Sequence, residues 1–125
     1  MPVAFEVRGD LPPKKDGASS MWNKDVEVRR LIRLRAAAAT ALGDRRPFAK
    51  NIRLRLEVHV GPINSRATGD LDNFVTGICD GLMAAHPRAS ISSMWQSEAP
   101  VSIQPHRCIA IEDDCEVVSI VADQA

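Results

Sequence analysis

Apolar and polar residues alternate most regularly over residues 52–60, where five apolar positions are separated by four polar ones. Because successive side chains of a strand point to opposite faces, this pattern predicts a strand with one buried face. A shorter alternation over residues 4–8 predicts a second strand. Near the C-terminus, residues 107–111 and 116–122 are predicted as two strands, or as one strand interrupted at 112–114.

Two other stretches have helical spacing. Between about residues 23 and 42 apolar residues recur every three or four positions, which predicts an amphipathic helix ended by Gly43. A second apolar stripe begins at Phe74 and predicts a helix that ends near Ala85. The order strand, helix, strand, helix, strand indicates a single domain of the α/β (α+β) class over residues 1–125.

Residues 87–106 are rich in serine, proline and small polar residues and show no sustained period, so we expect a long loop insertion there. Loops of this length are usually functional or mobile. Trp95 lies in this segment and is the better candidate for stacking on an unpaired base. Trp22, near the start of the first predicted helix, is expected to be a packing anchor.

The composition indicates a soluble globular protein. The chain has 125 residues, of which 45% are hydrophobic and 26% are charged, as is normal for one domain. No stretch approaches the roughly 20 apolar residues of a membrane span, and the first residues show no secretory signal. The three cysteines include no C-x-x-C pair. We therefore expect a cytoplasmic protein with reduced thiols and no contact with a membrane.

The net charge is zero, but the two halves of the chain differ. Residues 1–55 contain 13 Lys and Arg against 6 Asp and Glu, whereas residues 56–125 contain 3 against 10. Such asymmetry allows one surface to hold an anionic polymer while another holds a cation. The alternative is that the two halves neutralise each other across the fold, because position in the sequence does not fix position on the surface.

An acidic motif, GDLDNFVTGICDGL at residues 69–82, places Asp70 and Asp72 just before a predicted helix, and a further acidic pair lies at 113–114. Helix capping, with Asp72 or Asn73 as the N-cap and Asp70 favoured by the helix dipole, is one interpretation. It does not explain the later pair. An EF-hand is excluded, because its required glycine and glutamate would fall on valine and glycine. A Mg²⁺ or Mn²⁺ site fits better, since these ions prefer carboxylate oxygens.

GDLDNFVTGICDGL followed by EDDCEVVSI resembles the RusA-type Holliday junction resolvases, a family with D-L-D-N opening a helix, D-G-L near its end, and an acidic pair before an apolar strand. The double-proline loop LPPKK and the long basic helix agree with this family, and the resemblance covers roughly residues 3–122. It implies a small mixed sheet packed against two main helices. It also implies a homodimeric, Mg²⁺-dependent (or Mn²⁺-dependent) endonuclease that resolves four-way DNA junctions by phosphodiester hydrolysis in recombination and repair.

The resemblance assigns the catalytic, metal-binding carboxylates to Asp70, Asp72 and Asp114, with Asp113 as an additional candidate ligand. Asp80 matches the acid of the family's helix. Because it lies about two turns from the other acids, we expect it to be structural rather than a ligand.

Three departures from the family pattern bear on substrate contact. Thr76 stands where the family has a lysine, so a catalytic cation would come from Lys14, Lys15 or Arg66. The basic run before the motif is reduced to SRATG. The connection from D-G-L to the acidic pair is long, 30 residues from Met83 to Glu112, which suggests an altered or added lid.

The predicted phosphate contacts are cationic residues of the N-terminal half and of the loop before the motif: Lys14, Lys15, Lys24, Arg29, Arg30, Arg33, Arg35 and Arg66. A solvated helix face is the alternative for the arginines. A different functional hypothesis is a module of the same fold that binds branched DNA with weak or lost cleavage.

A zinc site is a third possibility. It would use His106, Cys108 and Cys115, with His86 as a further candidate ligand, although the H-x-C spacing is unusual for zinc ligands.

Overall fold

The computed structural model describes about two thirds of the chain, and for residues 54–60, 71–72 and 117–124 it describes the backbone alone. The described residues are 5–7, 11–15, 21–43, 54–60, 71–110 and 117–124. Their elements, in chain order, are α1 (Asp25–Leu42), β1 (Leu54–Val60), α2 (Leu71–Gly81), α3 (Met94–Glu98), a 3₁₀ turn (Val101–Ile103) and β2 (Val117–Gln124).

Helix α1 confirms the helix predicted over residues 23–42. Asp25 and Glu27 lie in its first turn, where the helix dipole favours negative charge. The helix ends at Gly43, whose φ of 53° is readily adopted by glycine and whose N–H donates to the Ala39 carbonyl. The buried stripe consists of Val28, Leu31, Leu34, Arg35, Ala38 and Leu42. An arginine therefore occupies a position in the apolar face of the helix.

Helix α2 confirms the second predicted helix, although it ends at Gly81 rather than near Ala85. Phe74, Ile78 and Leu82 are buried against Leu34, Ala38 and Leu42 of α1, together with Ile103, Ile109 and Ala110. Full burial of a side chain of this size contributes roughly 1.5–3 kcal/mol. This cluster joins the two long helices and the segment that follows them.

A second cluster covers the N-terminal half of α1. Met21 and Trp22 pack there on Val28 and Leu31, and Trp95 of α3 completes the cluster. Segment 87–106, for which the sequence predicted a loop, thus contributes α3 and a 3₁₀ turn, whose Trp95 and Ile103 side chains lie in the core.

The predicted α/β (α+β) fold, with a small mixed sheet packed against two main helices, is wrong. Where side chains are described, the regular structure is helical, and the core described there is built from α1, α2, α3, the 3₁₀ turn and the segments beside them. The only ladder in the described residues is the backbone pair β1–β2, which is parallel rather than mixed. Residues 5–7 form no strand, and Phe5 and Val7 remain 41% and 36% exposed.

The predicted strand at residues 107–111 is also absent from its described part, residues 107–110. Ile109 and Ala110 are buried, but both of their N–H groups donate to the single carbonyl of Leu82, at 3.2 and 3.0 Å. The segment is therefore held against the end of α2 instead of joining a ladder. Among the described residues, no helix has the length and apolar character that crossing a membrane requires.

Candidate functional site

The acidic motif coincides with the start of α2. Leu71 is the first residue of the helix, so Asp70 directly precedes it and Asp72 lies in its first turn. Asp70, Asp113, Asp114 and the side chain of Asp72 lie outside the described residues. The convergence of these acids on one metal ion therefore stays a prediction. Among the described residues, no three His, Cys, Asp or Glu side chains are grouped so that they could hold a metal ion.

The double-proline loop, residues 11–15, packs directly on α2. Pro13 is fully buried, and the Lys15 N–H donates to the Asn73 carbonyl at 3.1 Å. Gly77 makes this approach possible, because a Cβ at that position would lie 2.2 Å from the Pro13 carbonyl oxygen. Two sequence features on which the family resemblance rests are thus in contact, and the loop lies beside the first turns of the helix that carries the acids.

Lys15 is bound to the opposite end of α2 from the acids. Its Nζ lies 2.7 Å from Oδ2 of Asp80, and the two side chains are 47% and 19% exposed. Asp80 is eight residues after Asp72, which is about 12 Å along a helix axis. The Lys15 ammonium is therefore held away from the acidic end of α2, and an exposed pair of this kind contributes only about 0–1 kcal/mol.

Lys14 and Arg30 both contact Glu27. The Lys14 backbone N–H donates to Oε1 of Glu27 at 3.0 Å, and Nη1 of Arg30 lies 3.3 Å from the same oxygen. Glu27 thereby connects the double-proline loop to α1. Since Arg30 is already paired with a carboxylate, part of its charge is neutralised before any phosphate approaches.

Three predicted phosphate contacts are exposed on α1: Lys24, Arg29 and Arg33. Lys24 occupies the N-cap position, and its carbonyl accepts the Val28 N–H at 2.8 Å. Arg29 and Arg33 are four residues apart, so both lie on one face of the helix. The exposed side of α1 therefore presents cations to solvent, as a contact with nucleic acid requires. Arg66 lies outside the described residues.

The prediction that Arg35 contacts phosphate is wrong, because its side chain has no exposed surface. Its three nitrogen atoms donate to five backbone carbonyls. Nε bonds to Ile103 (2.9 Å); Nη1 to Gly81 (2.7 Å) and Met83 (2.8 Å); Nη2 to Gln104 (2.8 Å) and Arg107. All five N–H groups of the guanidinium thus have acceptors, and we call this set of bonds the Arg35 clamp. The signal was present in the sequence, because Arg35 falls within the apolar stripe of α1.

Trp95 is also buried, at 1% exposure, so the prediction that it stacks on a base is wrong. Its Nε1 donates to the Trp22 carbonyl at 3.2 Å, and the two ring centroids are 5.6 Å apart. The Arg35 guanidinium carbon lies 5.2 Å from the Trp22 ring centroid and 5.9 Å from that of Trp95. The prediction that Trp22 is a packing anchor is confirmed, and both indoles belong to the surroundings of the buried cation.

The zinc hypothesis gains no support from the described residues. His86 and His106 are exposed, and Nδ1 of His86 accepts the Arg88 backbone N–H at 3.0 Å. Cys108 is half-buried, and Cys115 lies outside the described residues.

No family model, curated protein or solved structure matches the chain. The resemblance to the RusA-type resolvases accordingly rests on the sequence motifs and their order alone.

Proposed function

We propose that the protein is a Mg²⁺-dependent or Mn²⁺-dependent endonuclease that resolves four-way DNA junctions, as the motif resemblance implies. The observation that carries the proposal is the position of D-L-D-N at the N-terminal boundary of α2, with the LPPKK loop packed on the same helix. Both features therefore occur together beside one helix end. The correction to the fold leaves this local arrangement unchanged.

In this proposal Asp70, Asp72 and Asp114, with Asp113 as a further candidate, hold the metal ion. Their carboxylate oxygens are the donors that Mg²⁺ and Mn²⁺ prefer. When bound there, a divalent cation would supply positive charge beside the phosphate and would lower the pKa of a bound water molecule. The N-terminal end of α2 contributes its own partial positive charge toward the same phosphate.

The remaining binding energy comes from the basic face of α1. Arg29 and Arg33 contact the phosphate backbone of the DNA, and Lys24 extends this contact at the N-cap. A homodimer would present two such sites to a junction that itself has two-fold symmetry. We place the activity in the cytoplasm, because the three cysteines of the chain include no C-x-x-C pair.

A second candidate function is binding of junctions or other branched DNA with weak or lost cleavage. Two observations on α2 favour it. Thr76, at the position of the family lysine, is exposed without supplying a cation, and the Lys15 ammonium is paired with Asp80 instead of lying at the acidic end. The loss of a cation near the scissile phosphate lowers transition-state stabilisation more than DNA affinity.

A cleavage assay distinguishes the two functions. A synthetic four-way junction is incubated with the protein and Mg²⁺ or Mn²⁺, beside linear duplex and flap substrates and a chelator control. We expect symmetric nicks in the junction, which disappear when the metal is removed. In Asp72→Asn and Asp114→Asn, cleavage should fall by more than the roughly 10–100-fold cost of losing an outer-shell partner of a metal site.

Asp80→Asn is the matched control, because it removes the same charge from the same helix at a residue that is paired with Lys15. It should cleave at close to the wild-type rate. Wild-type protein that binds junctions but never cleaves them at any metal concentration would establish the binding module instead. Protein that neither binds nor cleaves junctions would refute both functions.

A further inference from the structure

A second cationic surface lies far from α1 in sequence. Of the three Lys and Arg residues in the acidic half of the chain, residues 56–125, two are Arg88 and Arg107. Both are exposed, as are His86 and His106. The two short segments that carry them are joined by a backbone hydrogen bond of 2.7 Å from the N–H of Ala85 to the carbonyl of Pro105. We call His86, Arg88, His106 and Arg107 the cationic patch.

The Arg35 clamp fixes the backbone beneath this patch. Its guanidinium bonds to the carbonyl of Met83, in the first segment, and to those of Gln104 and Arg107, in the second. Pro105 between them is buried. The exposed side chains thus project from a backbone that is already ordered, so little backbone entropy is lost when they bind a ligand.

The charges of the patch are not neutralised by described neighbours. Neither Arg88 nor Arg107 forms an ion pair in the part of the chain that the structure describes. The only acid between residues 82 and 110 is Glu98, exposed on α3. Arg35 adds a buried positive charge below the surface, where low dielectric strengthens its field. The surface therefore attracts anions.

The side-chain chemistry suits phosphate. Guanidinium groups bind phosphate oxygens through two parallel N–H bonds. His86 already accepts the Arg88 N–H through Nδ1, at 3.0 Å, which leaves its Nε2 as the ring atom that can donate outward. Anionic lipid offers the same phosphate chemistry, and Ile91 and Val101 of this segment are exposed, so the test below includes lipid vesicles.

We propose that the cationic patch is a second binding surface for the phosphate backbone of nucleic acid, separate in sequence from the basic face of α1. The identification of that nucleic acid as branched DNA rests on the proposed function. Segment 87–106, inserted relative to the family pattern, then enlarges the area over which the protein holds its substrate.

The test compares Arg88→Gln/Arg107→Gln with the charge-conserving control Arg88→Lys/Arg107→Lys. Binding to a fluorescent four-way junction is measured by anisotropy in chelator, which prevents cleavage, over a range of salt concentrations. Loss of two phosphate contacts should reduce the slope of log K against log salt by about 1.8. The affinity deficit of the glutamine variant should accordingly shrink about twelvefold between about 50 and about 200 mM salt.

Far-UV circular dichroism and urea unfolding of each variant establish that it is folded, and the lysine control should retain most of the wild-type salt slope. An affinity of the glutamine variant within about twofold of wild type, together with an unchanged salt slope, would overturn the inference. The inference would also be overturned if the glutamine variant lost binding to phosphatidylserine vesicles while its binding to DNA stayed intact.

The outcomes for the inference and for the proposed function are separable. If the glutamine variant loses DNA affinity but wild-type protein never cleaves a junction, the binding role of the cationic patch is supported and the nuclease activity is refuted. If wild-type protein cleaves junctions and the glutamine variant binds them normally, the nuclease activity is supported and the binding role of the patch is refuted. If wild-type protein binds no DNA, both fail.

Discussion

Replacing Arg35 with methionine tests the physical origin of order in the segment after α2. The substitution removes the charge and all five donors while leaving an unbranched side chain of similar length. The five carbonyls of the clamp remain, because they belong to the backbone. Two of them, those of Gly81 and Ile103, take part in fully buried hydrogen bonds, whereas the other three bonds are partly buried.

The expected loss in the free energy of unfolding follows from this difference between buried and partly buried hydrogen bonds. A buried acceptor left without a partner costs about 1–3 kcal/mol, so the two buried carbonyls together cost about 2–6 kcal/mol. The three partly buried carbonyls can turn to water, and we assign them no cost. Lost attraction between the cation and the indoles of Trp22 and Trp95 adds about 0.5–2 kcal/mol, while relief of guanidinium desolvation acts in the opposite direction. We therefore expect the free energy of unfolding to fall by about 3–5 kcal/mol.

Urea titration followed by tryptophan fluorescence and by far-UV circular dichroism measures this change. Coincidence of the two transitions tests two-state behaviour. Arg33→Met is the matched control, since it makes the same chemical change at an exposed position of α1, and it should alter stability by less than about 0.5 kcal/mol. If Arg35→Met loses no more stability than Arg33→Met, the clamp does not hold the fold together and the reasoning is refuted.

Two further substitutions on α2 have contrasting expectations. Gly77→Ala should destabilise the protein by about 2 kcal/mol, because the added Cβ meets the Pro13 carbonyl oxygen at 2.2 Å and backbone cannot move aside cheaply. Gly81→Ala is the control in thermal or urea unfolding, because its added Cβ meets side-chain atoms of Leu31 and Leu34, at 2.8 and 3.0 Å, and side chains can move aside more easily than backbone. An equal loss of stability in the two variants would contradict this difference between backbone and side-chain contacts. Asp80→Asn should change stability by no more than about 1 kcal/mol, because its pair with Lys15 is solvated, and a larger loss in the same titration would show that the pair is stronger than its exposure indicates.

Periodicity identified the two long helices because their packing uses residues three and four apart, a local property of the chain. The apolar stripe of α1 also contains Arg35, but the hydrogen-bond partners of Arg35 lie between 46 and 72 residues away in the sequence. A local pattern does not predict partners at that distance. The prediction that Trp95 is available for stacking on a base was wrong for the same reason. Its neighbours are small and polar, as in an exposed loop, but its burial depends on Trp22 and α1.

The prediction of a mixed sheet was wrong where the alternation of apolar and polar residues is short. Phe5 and Val7 alternate with polar residues but form no strand and stay 41% and 36% exposed. Ile109 and Ala110 are buried, and their N–H groups donate to the Leu82 carbonyl at the end of α2. At the candidate site, the sequence correctly placed D-L-D-N at the start of a helix. Whether Asp114 meets that helix depends on a contact across more than 40 residues, and it remains a prediction.

The Arg35 clamp is bonded only to main-chain oxygen atoms, which every amino acid possesses. Positions 83, 103, 104 and 107 can consequently exchange their side chains during evolution without removing an acceptor, provided that the path of the chain is preserved. The clamp therefore orders this segment without depending on its side chains, and the identity of those residues is constrained only where they fill the core, as Trp95 and Ile103 do. Relatives descended from a common ancestor can therefore keep this arrangement of carbonyl groups around one arginine after the surrounding amino-acid sequence has diverged.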